Sequence, residues 1–186
     1  MKLDIGCGKN KKEGFIGMDQ YPMDGVDIVC DIRKTPWKYI KDGQEVEIEA
    51  DSIEEVHCSH FLEHLTQLER MKFFNELYRV MKAGAKATII TPHWASTRAY
   101  GDMTHQWPPV AEMFYYYLSK NWRDTQAPHV DKKWNPEGMD CDFSASWGYT
   151  YGPELTVRNQ EYIQFALTHY KEAAQDMVAT ITKDIK

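Results

Sequence analysis

The chain has 186 residues, 42% of them hydrophobic, and a formal net charge of -6 from 22 basic and 28 acidic residues. That size suits one domain with a full core, while the acid excess argues against the broad basic footprint of a nucleic-acid binder. No apolar run approaches a membrane span and no leader-like segment opens the chain, so we expect a cytoplasmic protein with no membrane partner.

Met1 to Ile5 reads as a short strand that carries Asp4 and runs straight into Gly6-Cys7-Gly8, a tight turn where a ligand can approach bare backbone. A second strand, Phe15 to Met18, ends in Asp19, and a third, Val26 to Cys30, ends in Asp31. Ligands of open α/β sheets sit outside the carboxyl ends of the strands, so a glycine turn and two acids would line one crevice. That chemistry suits a nucleoside: one carboxylate accepts from the ribose hydroxyls and the other from an exocyclic amine. A dinucleotide fingerprint fits less well, because Asn10 and Lys11 stand where further glycines belong and Asp19 follows too soon.

Only Lys9 to Gly14 joins the first two strands, whereas a parallel crossover normally takes a dozen or more residues and a helix. Six extended residues reach about 20 Å, just enough to return along a short strand. The first crossover helix is therefore expected to be missing, and with it the helix N-terminus that would face an anionic ligand group. Lys9, Lys11 or Lys12 is a substitute charge, or else the loop is simply solvated.

Tyr39 to Ala50 carries Asp42-Gly43 between alternating segments and predicts a hairpin before a fourth strand, Glu54 to Cys58. Thr66 with Glu69 forms a capping-box pattern. Leu68, Met71, Phe74, Leu77, Tyr78 and Met81 then recur at helical spacing until Gly84, followed by a fifth strand, Lys86 to Thr91. The stretch 94–151 is dense in aromatics and broken by prolines, which predicts short helices and long loops over the crevice, a substrate or lid region. Phe143 to Tyr151 alternates as a strand, Asn159 to Lys171 reads as a helix, and Met177 to Lys183 as a closing strand, in preference to one long terminal helix. Cys7, Cys30, Cys58 and Cys141 form no CxxC pair and read as small buried apolar residues. His57, His60 and His64 lie close in sequence, but no further ligand stands at matching spacing, so no metal site is expected.

Taken as an ordered set, LDIGCG, Asp19, Asp31, SHFLEHL, RVMKAG and the PH after the fifth strand resemble the class I S-adenosylmethionine-dependent methyltransferases, specifically a small LxLGCG/LEHL-type branch. The resemblance covers residues 1 to 93. It implies a Rossmann-like, open, mostly parallel α/β sheet with an antiparallel last strand, read here as one domain: a cofactor-binding half (1–93), the aromatic-rich region (94–151) and a C-terminal helix and strand (152–186). It implies S-adenosylmethionine as cofactor, held by residues drawn from Asp4, Gly6, Cys7, Gly8, Lys11, Asp19, Gln20, Asp31, Ile32, Ser59 and His60. Methyl transfer rests mostly on alignment, with a base where the acceptor loses a proton. Ser59, His60 and His93 follow strands four and five, and YGDMTHQW resembles a GDPTH segment of the same branch. The base candidates are thus His105 oriented by Asp102, then His60 and His93, with His64 structural and the faces of Phe61 or Trp107 available to a cation. No CPPY-like or NPPY-like loop follows strand four, so the expected acceptor is an O or N atom of a small molecule or sugar, ahead of nucleic acid or protein. A non-catalytic cofactor-binding module and a nicotinamide-dependent reductase are the competing classes. The missing helix also suggests a partner subunit over the exposed face, in the simplest case a homodimer.

Overall fold

The computed structural model describes residues 1–185. The first strands, β1 (Lys2–Ile5), β2 (Ile16–Asp19) and β3 (Ile28–Val29), are short, and no helix separates them. A hairpin of β4 (Lys38–Lys41) and β5 (Gln44–Glu47) follows, then β6 (Ile53–Ser59), α1 (Gln67–Val80) and β7 (Met81–Pro92). Helices α2 (Arg98–Gly101), α3 (Glu112–Tyr116) and α4 (Lys120–Gln126) punctuate a long excursion before β8 (Phe143–Tyr151). Helices α5 (Pro153–Thr156) and α6 (Gln160–His169) lead to β9 (Ala174–Lys183). Among the described residues, no helix is long and apolar enough to cross a membrane.

The main sheet has the order β3-β2-β1-β6-β7-β9-β8, parallel from β3 to β7, with β9 antiparallel to both of its neighbours. This matches the expected open sheet with an antiparallel last strand. Strand order reverses at β1, which places the Gly6 turn, Asp19 and Asp31 around the reversal point.

Period-two alternation gives the sheet two unlike faces. Leu3, Val56, Ala87 and Ile181 form one cross-strand row, and Ile5, Cys58, Ile89 and Ala179 the next, all buried against Phe73, Phe74 and Leu77 of α1. The opposite face carries the row Asp4, His57, Thr88, Thr180 and Ser146, mostly half-buried. Here the crossover helix is indeed absent. The loop 9–14 is held instead by Asp4, whose Oδ2 accepts from the Lys12 amide at 2.7 Å, and by Asp27, whose Oδ2 accepts from Lys11 Nζ and the Gly17 amide, both at 2.7 Å.

The hairpin turn at Asp42 and Gly43 has two positive φ angles, 52° and 79°, as the Asp-Gly signal demands. The capping box of α1 is complete, with Thr66 accepting from the Glu69 amide and Glu69 accepting from the Thr66 amide. Several details differ from expectation, among them that the fifth and last strands start earlier, at Met81 and Ala174. The third strand shrinks to two residues, because β2 offers pairing only at Met18 and Asp19. Leu68 is 41% exposed and lies off the apolar stripe, whose buried members include Phe73 and Val80. Helix α1 ends at Val80, well before Gly84, since distant groups take its last carbonyls: Lys183 Nζ donates to Tyr78, the Asp51 amide to Arg79 and the Ser52 amide to Val80.

Candidate active site

The Gly6 turn forms because φ is +67° at Gly6 and +51° at Gly8, conformations that cost a side-chain-bearing residue. The Gly6 amide donates back to the Met18 carbonyl at 2.8 Å, fastening the turn to β2. Asp19 leaves β2 beside it; its Oδ2 accepts from the Gly8 amide and its Oδ1 from the Tyr21 amide, both at 3.1 Å. Those bonds fix the carboxylate and leave each oxygen a further acceptor position. Asp31 is held by Arg33, whose Nε lies 2.8 Å from Oδ1; that bond, working against partial burial, keeps the Asp31 pKa below the usual carboxylate range.

Gly6, Asp19, Gln20, Asp31 and Ile32 line one crevice, as expected, together with Met18, Cys30, Arg33, Phe61, His64 and Leu65. The crevice volume is about 70 Å³, below the several hundred of a typical ligand pocket. Phe61 accounts for the constriction: a Cβ built on Gly6 would lie 2.5 Å from Phe61 Cγ, so the ring rests directly on the glycine.

Six expected cofactor contacts do not line this crevice; one of them, His60, lines the neighbouring cleft instead. Asp4 points to the opposite face of the sheet, where Oδ1 meets His57 Nδ1 at 2.7 Å and Oδ2 takes the Lys12 amide. Strand alternation dictates this, because Leu3 and Ile5 on either side face the core. Lys11 is committed to Asp27, and Gly8 spends its amide on Asp19. Burial, with Asp4 and Asp19 nearby, pushes the Cys7 thiol up to about 11, so it stays neutral. Ser59 ends β6 half-buried and outside the crevice lining.

A second, wider cleft of about 600 Å³ is lined by His60, Glu63, His64, Pro92, Arg98, Gly101, Asp102, Met103 and His105. His64 lines both spaces, so the cleft adjoins the crevice. A buried arginine assembles this region. The Arg70 guanidinium donates to the carbonyls of Leu62, Glu63, Gln106 and Pro108, and the Gln106 amide donates to the Glu63 carbonyl at 2.8 Å. The turn after β6 and the loop around residue 105 are thereby bound together, and the His64 and His105 rings meet edge to face at 4.8 Å.

His60 and His105 reach the cleft as expected, and Asp102 meets His105 as a long ion-pair contact without a hydrogen bond. Asp102 Oδ2 lies 4.0 Å from His105 Nε2, while Asp102 Oδ1 accepts from the Thr104 amide and hydroxyl. Thr104 Oγ1 in turn contacts His64 Nδ1 at 2.9 Å, so Asp102 orients His64 through Thr104. His93 is 1% exposed, with Nδ1 accepting from the Ala95 amide and Nε2 3.6 Å from Glu112; it lies outside the cleft lining. Its position two residues from Thr91 on the core-facing side explains the burial. Trp107 is 74% exposed and absent from both linings. His60 has a φ of +52° and sits with Nδ1 3.3 Å from Glu63 Oε1. The Glu63 carboxylate raises the His60 pKa above the ordinary imidazole value, burial opposes this, and Asp176 adds to it. Residue spacing singled out neither Glu63 nor His64 for the site; their place in SHFLEHL, directly after a strand end, was the available signal.

No protein-family model and no curated protein matches the chain. Solved structures do. A SAM-dependent methyltransferase from Archaeoglobus fulgidus is 21% identical, with a TM-score of 0.59 over 98% of this chain and 85% of that one. A complex between the Haloferax volcanii Trm112 methyltransferase activator and a candidate methyltransferase gives a TM-score of 0.53 at 10% identity, covering all of this chain and 82% of that one. The [4+2]-cyclase SpnF gives 0.51 at 12% identity, covering all of this chain and 75% of that one. The chain therefore has the fold of the class I S-adenosylmethionine-dependent methyltransferases.

Proposed function

We propose that this protein is an S-adenosylmethionine-dependent methyltransferase that acts on an oxygen or nitrogen of a small molecule or sugar. The observation that carries this reading is the adjacency of two spaces of different character. One holds Asp19 and Asp31 beside a glycine turn, and the other, joined to it at His64, is open and rich in histidine. SpnF, described as a cyclase, has the same fold, so the fold does not by itself assign methyl transfer.

The donor set of the crevice suits adenosine. Asp19 offers acceptor positions to ribose hydroxyls, Asp31 to the adenine amine, and Met18, Ile32 and Leu65 supply apolar surface. Phe61, whose ring rests on Gly6, is the side chain that must move to admit adenosine. The cofactor, when bound, supplies an electrophilic methyl group. The chain's own contribution is alignment, with His60 as the base that takes the acceptor's proton. His60 lines the cleft, and Glu63 beside it favours the imidazolium that results.

Calorimetry with S-adenosylhomocysteine tests the first half. Wild type should bind, and Asp31→Asn should bind roughly 10- to 100-fold more weakly, the range for a lost hydrogen bond to a charged group. An Asp31→Asn protein of unchanged affinity would remove the adenine assignment. A labelled-methyl screen over sugars, small alcohols and amines tests the second half. Tight cofactor binding with no turnover on any acceptor would favour the non-catalytic module.

A further inference from the structure

We propose that Glu63, His64 and His105 form a binding site for a divalent first-row transition-metal ion. One potential ligand atom from each lies within 4.8 Å of the others. Glu63 is 4% exposed, and among the described residues neither of its carboxylate oxygens has a hydrogen-bond partner. His60 Nδ1 stands 3.3 Å away from Oε1 but is not aligned as a donor, and the Arg70 guanidinium is spent on main-chain carbonyls. A buried carboxylate without a donor is costly unless a cation completes it.

Counting protons around the trio points the same way. The Asp102 carboxylate accepts the Thr104 hydroxyl proton at 2.6 Å, so toward His64 the Thr104 oxygen can only accept. His64 therefore carries its proton on Nδ1 and keeps a lone pair on Nε2. His105 Nδ1 faces the Ala99 carbonyl at 3.2 Å, which only accepts, so His105 also keeps a lone pair on Nε2. Two imidazoles, each engaged through its Nδ1, and one carboxylate without a donor thus converge. That is the pattern of a metal site whose outer contacts orient its ligands. Two imidazoles and a carboxylate favour zinc, cobalt or manganese over magnesium or calcium, which prefer all-oxygen surroundings. Arg98, the cation on the cleft wall, is paired with Asp176 at 2.8 Å, and the charges of Arg70 and His60 near Glu63 offset its carboxylate without donating a hydrogen bond to it.

Three protein ligands leave coordination positions open toward the cleft. Granted the methyltransferase reading, on which this extension rests, an ion held by Glu63, His64 and His105 would supply Lewis-acid chemistry to an acceptor hydroxyl entering the cleft.

The experiment is titration of metal-stripped protein with Zn2+, Co2+ and Mg2+, followed by calorimetry and, for cobalt, by visible absorption. The expected result is one Zn2+ or Co2+ per chain, with Mg2+ far weaker. Glu63→Gln and His105→Asn should each abolish the cobalt spectrum, and Thr104→Val should weaken binding roughly 10- to 100-fold by releasing His64. His129→Gln, on a distant 3-10 turn, serves as the unaffected control. If Glu63→Gln fails to fold, the half-buried His105→Asn variant decides. Absence of stoichiometric binding, or binding indifferent to both His105→Asn and Thr104→Val, overturns the site. S-adenosylhomocysteine binding is measured on the same samples. Cofactor binding without metal defeats this inference alone, and metal binding without cofactor upholds the site and defeats the methyltransferase reading.

Discussion

Replacing Gly6 by alanine probes the point where the nucleoside crevice and the core meet. Two costs add. The φ of +67° puts an L-residue in the left-handed region, worth roughly 1 to 2 kcal/mol. The new Cβ would lie 2.5 Å from Phe61 Cγ and 2.7 Å from its Cβ, so the ring must move; overpacking of that kind costs roughly 1 to 3 kcal/mol. Gly8 supplies the control, since it has a φ of +51° but no atom within 4 Å of a built Cβ. Gly8→Ala should therefore lose only the backbone share, and Gly6→Ala about 2 to 5 kcal/mol, a fall in Tm of roughly 5 to 15 °C for a chain of this size. In a Phe61→Ala background the added cost of Gly6→Ala should shrink to that of Gly8→Ala, a coupling that a double-mutant cycle in denaturant reads directly. Equal losses for Gly6→Ala and Gly8→Ala, or no coupling to Phe61, would refute the claim that Phe61 rests on this turn.

Acid should act through Glu112. Burial pushes its pKa up, but the nearby His93 ring and the hydrogen bond from Tyr149 outweigh this and hold it at about 2, against an ordinary 4.5. A depressed acid contributes stability above the unfolded value, and that share fades as pH falls from about 4.5 toward 2; it amounts to at most about 3 kcal/mol. Glu112→Gln should flatten the stability profile in that window, as followed by denaturant melts, and a profile parallel to wild type would count against it. Thr66→Ala removes the cap of α1 and should cost about 1 kcal/mol, roughly 2 to 4 °C in Tm, without changing S-adenosylhomocysteine affinity. If His60 is the base, the raised pKa keeps it protonated to a higher pH than free imidazole, so kcat/KM should climb with pH through a value above 6.5. His60→Gln should erase that limb, and an unchanged limb would move the role elsewhere.

Much of the fold was legible because it is written locally. Gly6 and Gly8, the acids at positions 19 and 31, the Asp42-Gly43 turn and the Thr66 capping box each act over a few residues, and the turns and the cap form as their local pattern predicts. The short Lys9 to Gly14 link dictated the missing helix by chain length alone. Long-range contacts settled the rest. Alternation says that Asp4 and its neighbours face opposite ways, but only pairing with β6 turned Asp4 toward His57 and away from the crevice. The end of α1 depended on Lys183, contributed by the last strand. The meeting of Glu63 and His64 with His105 needed the four carbonyl bonds of Arg70, which join segments far apart in the chain. Turns, caps and strand ends follow from nearest-neighbour sterics and hydrogen bonding, so the sequence by itself determined them. A cluster of side chains from separate loops exists only once packing has brought those loops together, and that the tertiary structure alone decided.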